Sequence, residues 1–131
     1  MQNEISPQTV LTFWFEALAP QQWWVKDAAL DQTIREQFSE LHGAATRCEL
    51  YGWRHSAAGR LAEVIVLDQF SRNIYRETPQ AFSQDAQALV LAQEAIQWGF
   101  SQKLSVVQRS ILFLPFMHSE SAAIRRCCIN T

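Results

Sequence analysis

The sequence has no run of apolar residues near the roughly 20 needed to cross a bilayer. Its longest candidate, residues 111–117, is far too short. The first residues lack a basic segment followed by an apolar stretch, so no secretory leader is expected. There are only four glycines, all isolated, which excludes a glycine-rich phosphate loop. The formal charge is −2, so there is no basic excess, and nucleic acid is an unsuitable partner. Three cysteines, Cys48 and the adjacent Cys127 and Cys128, form neither an even set nor a C-x-x-C spacing. No disulfide framework is expected, and a reducing, cytoplasmic setting is the natural reading.

Apolar residues, by contrast, are abundant. Hydrophobic side chains make up 48% of the 131 residues, with five Trp and eight Phe among them. That suffices for the core of a single domain and argues against disorder.

The spacing of these residues predicts helices throughout. Ser6 and Pro7 supply an N-cap and a first-turn proline for a helix over about 7–18. Trp23 and Trp24 follow in a connector, where lidding the core edge is favoured over stacking on a ligand. Asp27 or Asp31 opens a second helix. Ile34, Phe38, Leu41, Ala45 and Cys48 lie on one face of it, and Gly52 ends it. Cys48 is therefore expected as a buried, inert thiol.

Ser56 caps a third helix, with Arg60 and Glu63 placed on its exposed side. Val64-Ile65-Val66-Leu67 could form a strand by its β-branching, but it has no plausible partner strand. It is read instead as the most buried part of the central helix. Thr78-Pro79 starts a fourth helix with Phe82 on its apolar face and Gly99 after its end. Ser105 caps a fifth, kinked by Pro115. Five to six helices in one all-α domain result, with no linker or repeat.

The polar cluster Asp68-Gln69-Phe70-Ser71-Arg72-Asn73 follows directly on the buried run. Asp68 and Arg72 have the spacing and order of a helical ion pair, and Arg76 continues that face if the helix persists. Charges so close to a core must be paired, so a structural tie outweighs an anion clamp formed by Arg72 or Arg76. His118 lies on an apolar stripe, where a hydrogen-bonded core histidine is the default. Glu120, two residues on, does not share its helical face. His42, His55 and His118 show no metal-ligand spacing, and no metal or other cofactor is expected.

Several segments together resemble a known family. They are Phe13-Trp14-Phe15, Trp23, LAEVIVLDQFSRNIYR, the Thr-Pro-x-Ala-Phe-x-x-Asp stretch at 78–85, and LPFMHSE at 114–120. In this order they are similar to the bacterial family called domain of unknown function 924, from about Val10 to Glu120. The resemblance implies a tetratricopeptide-like antiparallel helical array and brings no established activity or catalytic residue. The family usually has proline where this chain has Ser71. That places the end of the third helix near Phe70, with Arg72-Asn73 in a turn. The residues from about Ser121 depart from the family pattern and predict a truncated or frame-shifted product lacking its C-terminal helices. An apolar flank of the fifth helix would then be exposed and open to self-association.

Two functions follow as expectations. In the first, Asp68, Arg72, Asn73, Arg76, Asp85, His118 and Glu120 converge, walled by Trp14 and Trp23, to bind a small anionic ligand. In the second, the domain is a non-catalytic scaffold that binds a protein or peptide in a concave face. Convergence on one solvent-reachable cavity separates the two.

Overall fold

The computed structural model describes residues 5–130, without the side chains of residues 127–130. Cys127 and Cys128, as thiols, therefore lie outside the described residues. The described residues contain no strand. They form an all-α array whose helical segments are α1 (Pro7–Thr12), α2 (Ala28–Thr46), α3 (Ala57–Val64), α4 (Ser71–Ile74), α5 (Asp85–Gln97), α6 (Val106–Leu112), α7 (Leu114–His118) and α8 (Ala122–Asn130). A π-helical turn, Ile65–Phe70, joins α3 to α4 without a break, and α6 and α7 are split only at Phe113. The eight segments thus make six rods, in keeping with the five to six helices expected. No described helix is long and apolar enough to cross a membrane.

The starts of these helices follow from their caps. Ser6 accepts a hydrogen bond from Thr9 N, Asp27 from Ala29 N and Leu30 N, Ser56 from Gly59 N, and Ser105 from Gln108 N. Each satisfies donors that the first turn leaves open. Gly99 follows α5 in the left-handed region, with φ 81°. Pro115 has no amide hydrogen to continue α6 and sits instead in the first turn of α7.

The central rod, α3 to α4, carries the core. Leu61, Ala62, Ile65, Val66, Leu67 and Phe70 are all fully buried. Each large apolar side chain buried there contributes about 1.5–3 kcal/mol. Phe70 packs on Phe38 of α2 with ring centroids 4.7 Å apart, and Phe13 meets Phe38 edge-on at 5.1 Å. Trp14 is buried beside Phe70, and Trp23 stacks on Trp14 at 6.0 Å while its indole N–H donates to the Trp14 carbonyl. The Trp23 connector is the lid over the core edge that its aromatic content suggested.

Five expectations need correction. The central rod does not stop at Phe70. It runs on through Ile74, so Arg72 and Asn73 are helical, and Asp68 and Arg72 form an i,i+4 ion pair. Ser71 lies within the continuous rod, and its hydroxyl donates to the Leu67 carbonyl. Glu63 is not on the exposed side. It is fully buried and holds Arg54 through two hydrogen bonds of 2.8 and 2.7 Å. Cys48 is not buried, because α2 ends at Thr46 and Cys48 takes a left-handed turn conformation, φ 63°, on the surface. That turn, not Gly52, ends the helix, and Gly52 lies in the short 3-10 helix Tyr51–His55. Finally, Thr78-Pro79 opens a 3-10 turn, Pro79–Phe82, ahead of α5, and Phe82 points outward rather than into the core.

Candidate functional site

The π-helical turn positions the centre of the site. Such a turn bonds i to i+5, adds one residue to the helix and is frequent at functional sites. The Asp68 carbonyl takes a hydrogen bond from Arg72 Nη1 at 3.0 Å, and the Asp68 carboxylate is buried beneath α7. Its Oδ1 accepts from Arg72 Nη1 at 2.6 Å and bonds His118 Nδ1 at 2.9 Å. Its Oδ2 accepts from Gln69 Nε2 at 3.1 Å. A buried carboxylate requires such partners, and here it has three.

Arg72 also reaches across to the first residue of α5. Its Nη1 and Nη2 donate to Asp85 Oδ1 and Oδ2 at 2.9 and 3.0 Å, a bidentate pair. The guanidinium lies over the Phe82 ring at 5.2 Å, which explains why Phe82 turns outward. His118 ends α7, so its ring is anchored by a helix terminus on one side and by Asp68 on the other. Because the carboxylate accepts, Nδ1 carries a proton, so in the neutral ring Nε2 is the nitrogen with the lone pair.

These groups border a cleft of about 760 Å³ lined by Arg72, Phe82, Asp85, His118 and Glu120, with Pro115 in its wall. Glu120 lies past the end of α7, so the helical objection to its sharing a site with His118 does not apply. Five of the nine expected site residues therefore converge: Asp68, Arg72, Asp85, His118 and Glu120. Four do not. Asn73 and Arg76 turn the other way, to Asp31 of α2, with Asn73 Nδ2 at 2.8 Å and Arg76 Nε at 2.6 Å from its carboxylate. The helix ends at Ile74, so Arg76 leaves the face it would share with Arg72. Hydrogen bonding to Asp31 pushes the Arg76 guanidinium above its already high usual value. Trp14 and Trp23 belong to the aromatic core and do not wall the cleft.

Three buried polar contacts had no clear sign in the sequence. The Asp68–His118 pair joins residues 50 apart, and only folding brings them together. Asp31 read as a helix opener and is instead the partner of Asn73 and Arg76. His42 Nε2 lies 2.7 Å from Ser71 Oγ, tying α2 to α4, and burial pushes the His42 imidazole below its usual range. Among the described residues, no three His, Cys, Asp or Glu side chains come together as a metal site.

Fold and cleft together define an all-α helical domain with a charged crevice beside its central rod. Over residues 10–131 the chain matches the family described as bacterial protein of unknown function, DUF924, and it belongs to that family. The match includes the residues past Glu120, which the sequence had set apart. A solved structure of a protein of unknown function from Agrobacterium tumefaciens is similar to it, with 39% identity and a TM-score of 0.88. The likeness covers 95% of this chain and 71% of that one. No curated protein matches the chain.

Proposed function

We propose that this chain binds a small polar molecule in the cleft between α4, the start of α5 and the end of α7. The observation that carries the reading is the convergence of Arg72, Asp85, His118 and Glu120, from separate segments, around one buried carboxylate. A cleft of about 760 Å³ also falls in the size range of small-molecule sites, roughly 300–1,000 Å³. A domain that only needed to tie its helices together would gain nothing from leaving such polar groups on an open cavity.

The anion expected from the sequence rested on a clamp formed by Arg72 or Arg76. Arg72 is engaged by both Asp68 and Asp85, so an anion would have to displace a carboxylate. This favours a ligand that is neutral or positively charged where it meets the cleft.

The test is a thermal-shift screen of polar metabolites against the wild-type chain and Ala86→Trp. Ala86 lines the cleft outside the ion-pair network, so the indole fills the cavity and leaves the charges in place. A ligand at about 100 times its Kd stabilises the fold by about 2.7 kcal/mol, which raises Tm by a few degrees. The expected result is a Tm rise in the wild type that A86W lacks. If no compound shifts the wild type, or the shift persists in A86W, the cleft is not the binding site. A protein captured on another face would instead favour the scaffold reading.

A further inference from the structure

We propose that the cleft is a proton-transfer site, with His118 as the general base and a small molecule bearing a cationic group as substrate. This rests on the cleft being a binding site and adds what binds there and what is done to it.

The base is set up by geometry. The buried Asp68 carboxylate holds His118 Nδ1 at 2.9 Å, which fixes the ring and leaves Nε2 as the basic nitrogen. His118 lines the cleft, and no protein group bonds its Nε2 among the described residues. Asp68 is held in turn by Arg72 and Gln69. Asp68 is thus a positioning residue, and His118 is the group that meets substrate. In the step, an acidic X–H of the bound molecule, or of a water beside it, breaks with its electron pair left on X. The proton adds to Nε2, and Asp68 stabilises the imidazolium that results. The step needs no oxidant, reductant or other co-reactant.

The substrate class follows from charge. Two carboxylates, Asp85 and Glu120, line the cleft with the buried Asp68 behind them; the permanent cations near them are Arg72 and, on the Ser119 carbonyl at the rim, Arg125. Asp85 is already paired with Arg72, whereas Glu120 is exposed and makes no ion pair among the described residues. Glu120 is therefore the group available to an ammonium or guanidinium, in the same cleft lining as His118. An anion would meet the surplus negative charge instead.

Diethyl pyrocarbonate tests both halves, because it acylates the unprotonated nitrogen of a neutral imidazole. Mass spectrometry locates the adduct, and H118Q identifies the His118 product. His118 is expected to be modified, and saturating methylguanidinium is expected to slow that modification at least fivefold. E120Q should remove most of this protection, while inorganic phosphate gives none. In 15N-labelled wild-type protein the neutral His118 ring should be protonated on Nδ1, and in D68A, which lacks the acceptor, it should shift towards Nε2–H. A purely structural His118–Asp68 tie would give the same tautomer but no protection by methylguanidinium. An Nε2–H ring in the wild type, a His118 that resists the reagent, or protection by neither probe would each overturn the inference. Protection by phosphate alone would also overturn it, while leaving intact the reading of the cleft as a binding site. The metabolite screen with A86W tests that reading separately.

Discussion

Glu63 shows what a single residue can demand of its surroundings. Its carboxylate is fully buried on the central rod, in a position that would suit an apolar side chain. Among the described residues Arg54 alone bonds it, through both carboxylate oxygens, and this pairing raises the Arg54 guanidinium further above its usual range. Removing one member of a buried pair leaves the other uncompensated, at a cost of about 3–5 kcal/mol. Arg54 retains some exposure, so Arg54→Ala should lose about 3 kcal/mol, at the lower end. Urea denaturation measures this directly. A variant as stable as wild type would mean that the Glu63 carboxyl is protonated or solvated when its partner is gone.

Elements in this chain are shaped as much by close approach as by helix propensity. Gly59, in the first turn of α3, faces the backbone of the preceding 3-10 helix. A Cβ built there would lie 1.8 Å from the Trp53 carbonyl oxygen. Gly59→Ala must push those segments apart and should cost about 2–3 kcal/mol. At Gly52 a Cβ meets nothing within 4 Å, and Gly52→Ala should be neutral or add about 0.4–1 kcal/mol. Equal losses in the two variants would contradict this assignment of the contact.

The same scale shows what could be read from the sequence. Caps at Ser6, Ser56 and Ser105 and the glycine at 99 were legible because each acts through its own neighbours. The burial of Val64–Leu67 was legible from an unbroken apolar run. The end of α2 was not. A left-handed cysteine is uncommon, and nothing local marks Cys48 as that residue. The π-helical turn was not legible either, since its apolar residues suit any buried helix. Part of the candidate site could be read, because Asp68 and Arg72 have i,i+4 spacing, although the rod was expected to stop at Phe70 between them. Which way Arg76 turns, and which residue meets His118, depended on tertiary contacts with α2 and α7.

The whole molecule carries a pH dependence through His42. Ser71 donates its hydroxyl hydrogen to Leu67, so His42 Nε2 must donate to Ser71 in turn. Burial holds the folded pKa below the usual 6.5. Between these two values the unfolded chain binds a proton that the folded chain does not. Stability is therefore full above about pH 6.5 and falls as the pH drops through the folded pKa, by up to about 1.4 kcal/mol per pH unit. His42→Gln should flatten this part of the curve. Urea midpoints at pH 7.5 and 5.5 compare the two. If wild type and H42Q lose stability in parallel, the dependence arises from other groups.

The six-residue widening at Ile65–Phe70 has one more consequence. A π-helical turn is equivalent to an α-helix with one residue too many, and each residue advances a helix by about 100°. The half of the rod below it is therefore out of phase with the half above. Losing one of Ile65, Val66 or Leu67 would restore a regular α-helix and leave Asp68 and Gln69 in the chain. It would also swing Arg72 about a quarter-turn away from Asp85 and uncouple the rod from α5. For this chain, a one-residue deletion among the apolar residues Ile65–Leu67 would change the cleft more than many substitutions made within the cleft.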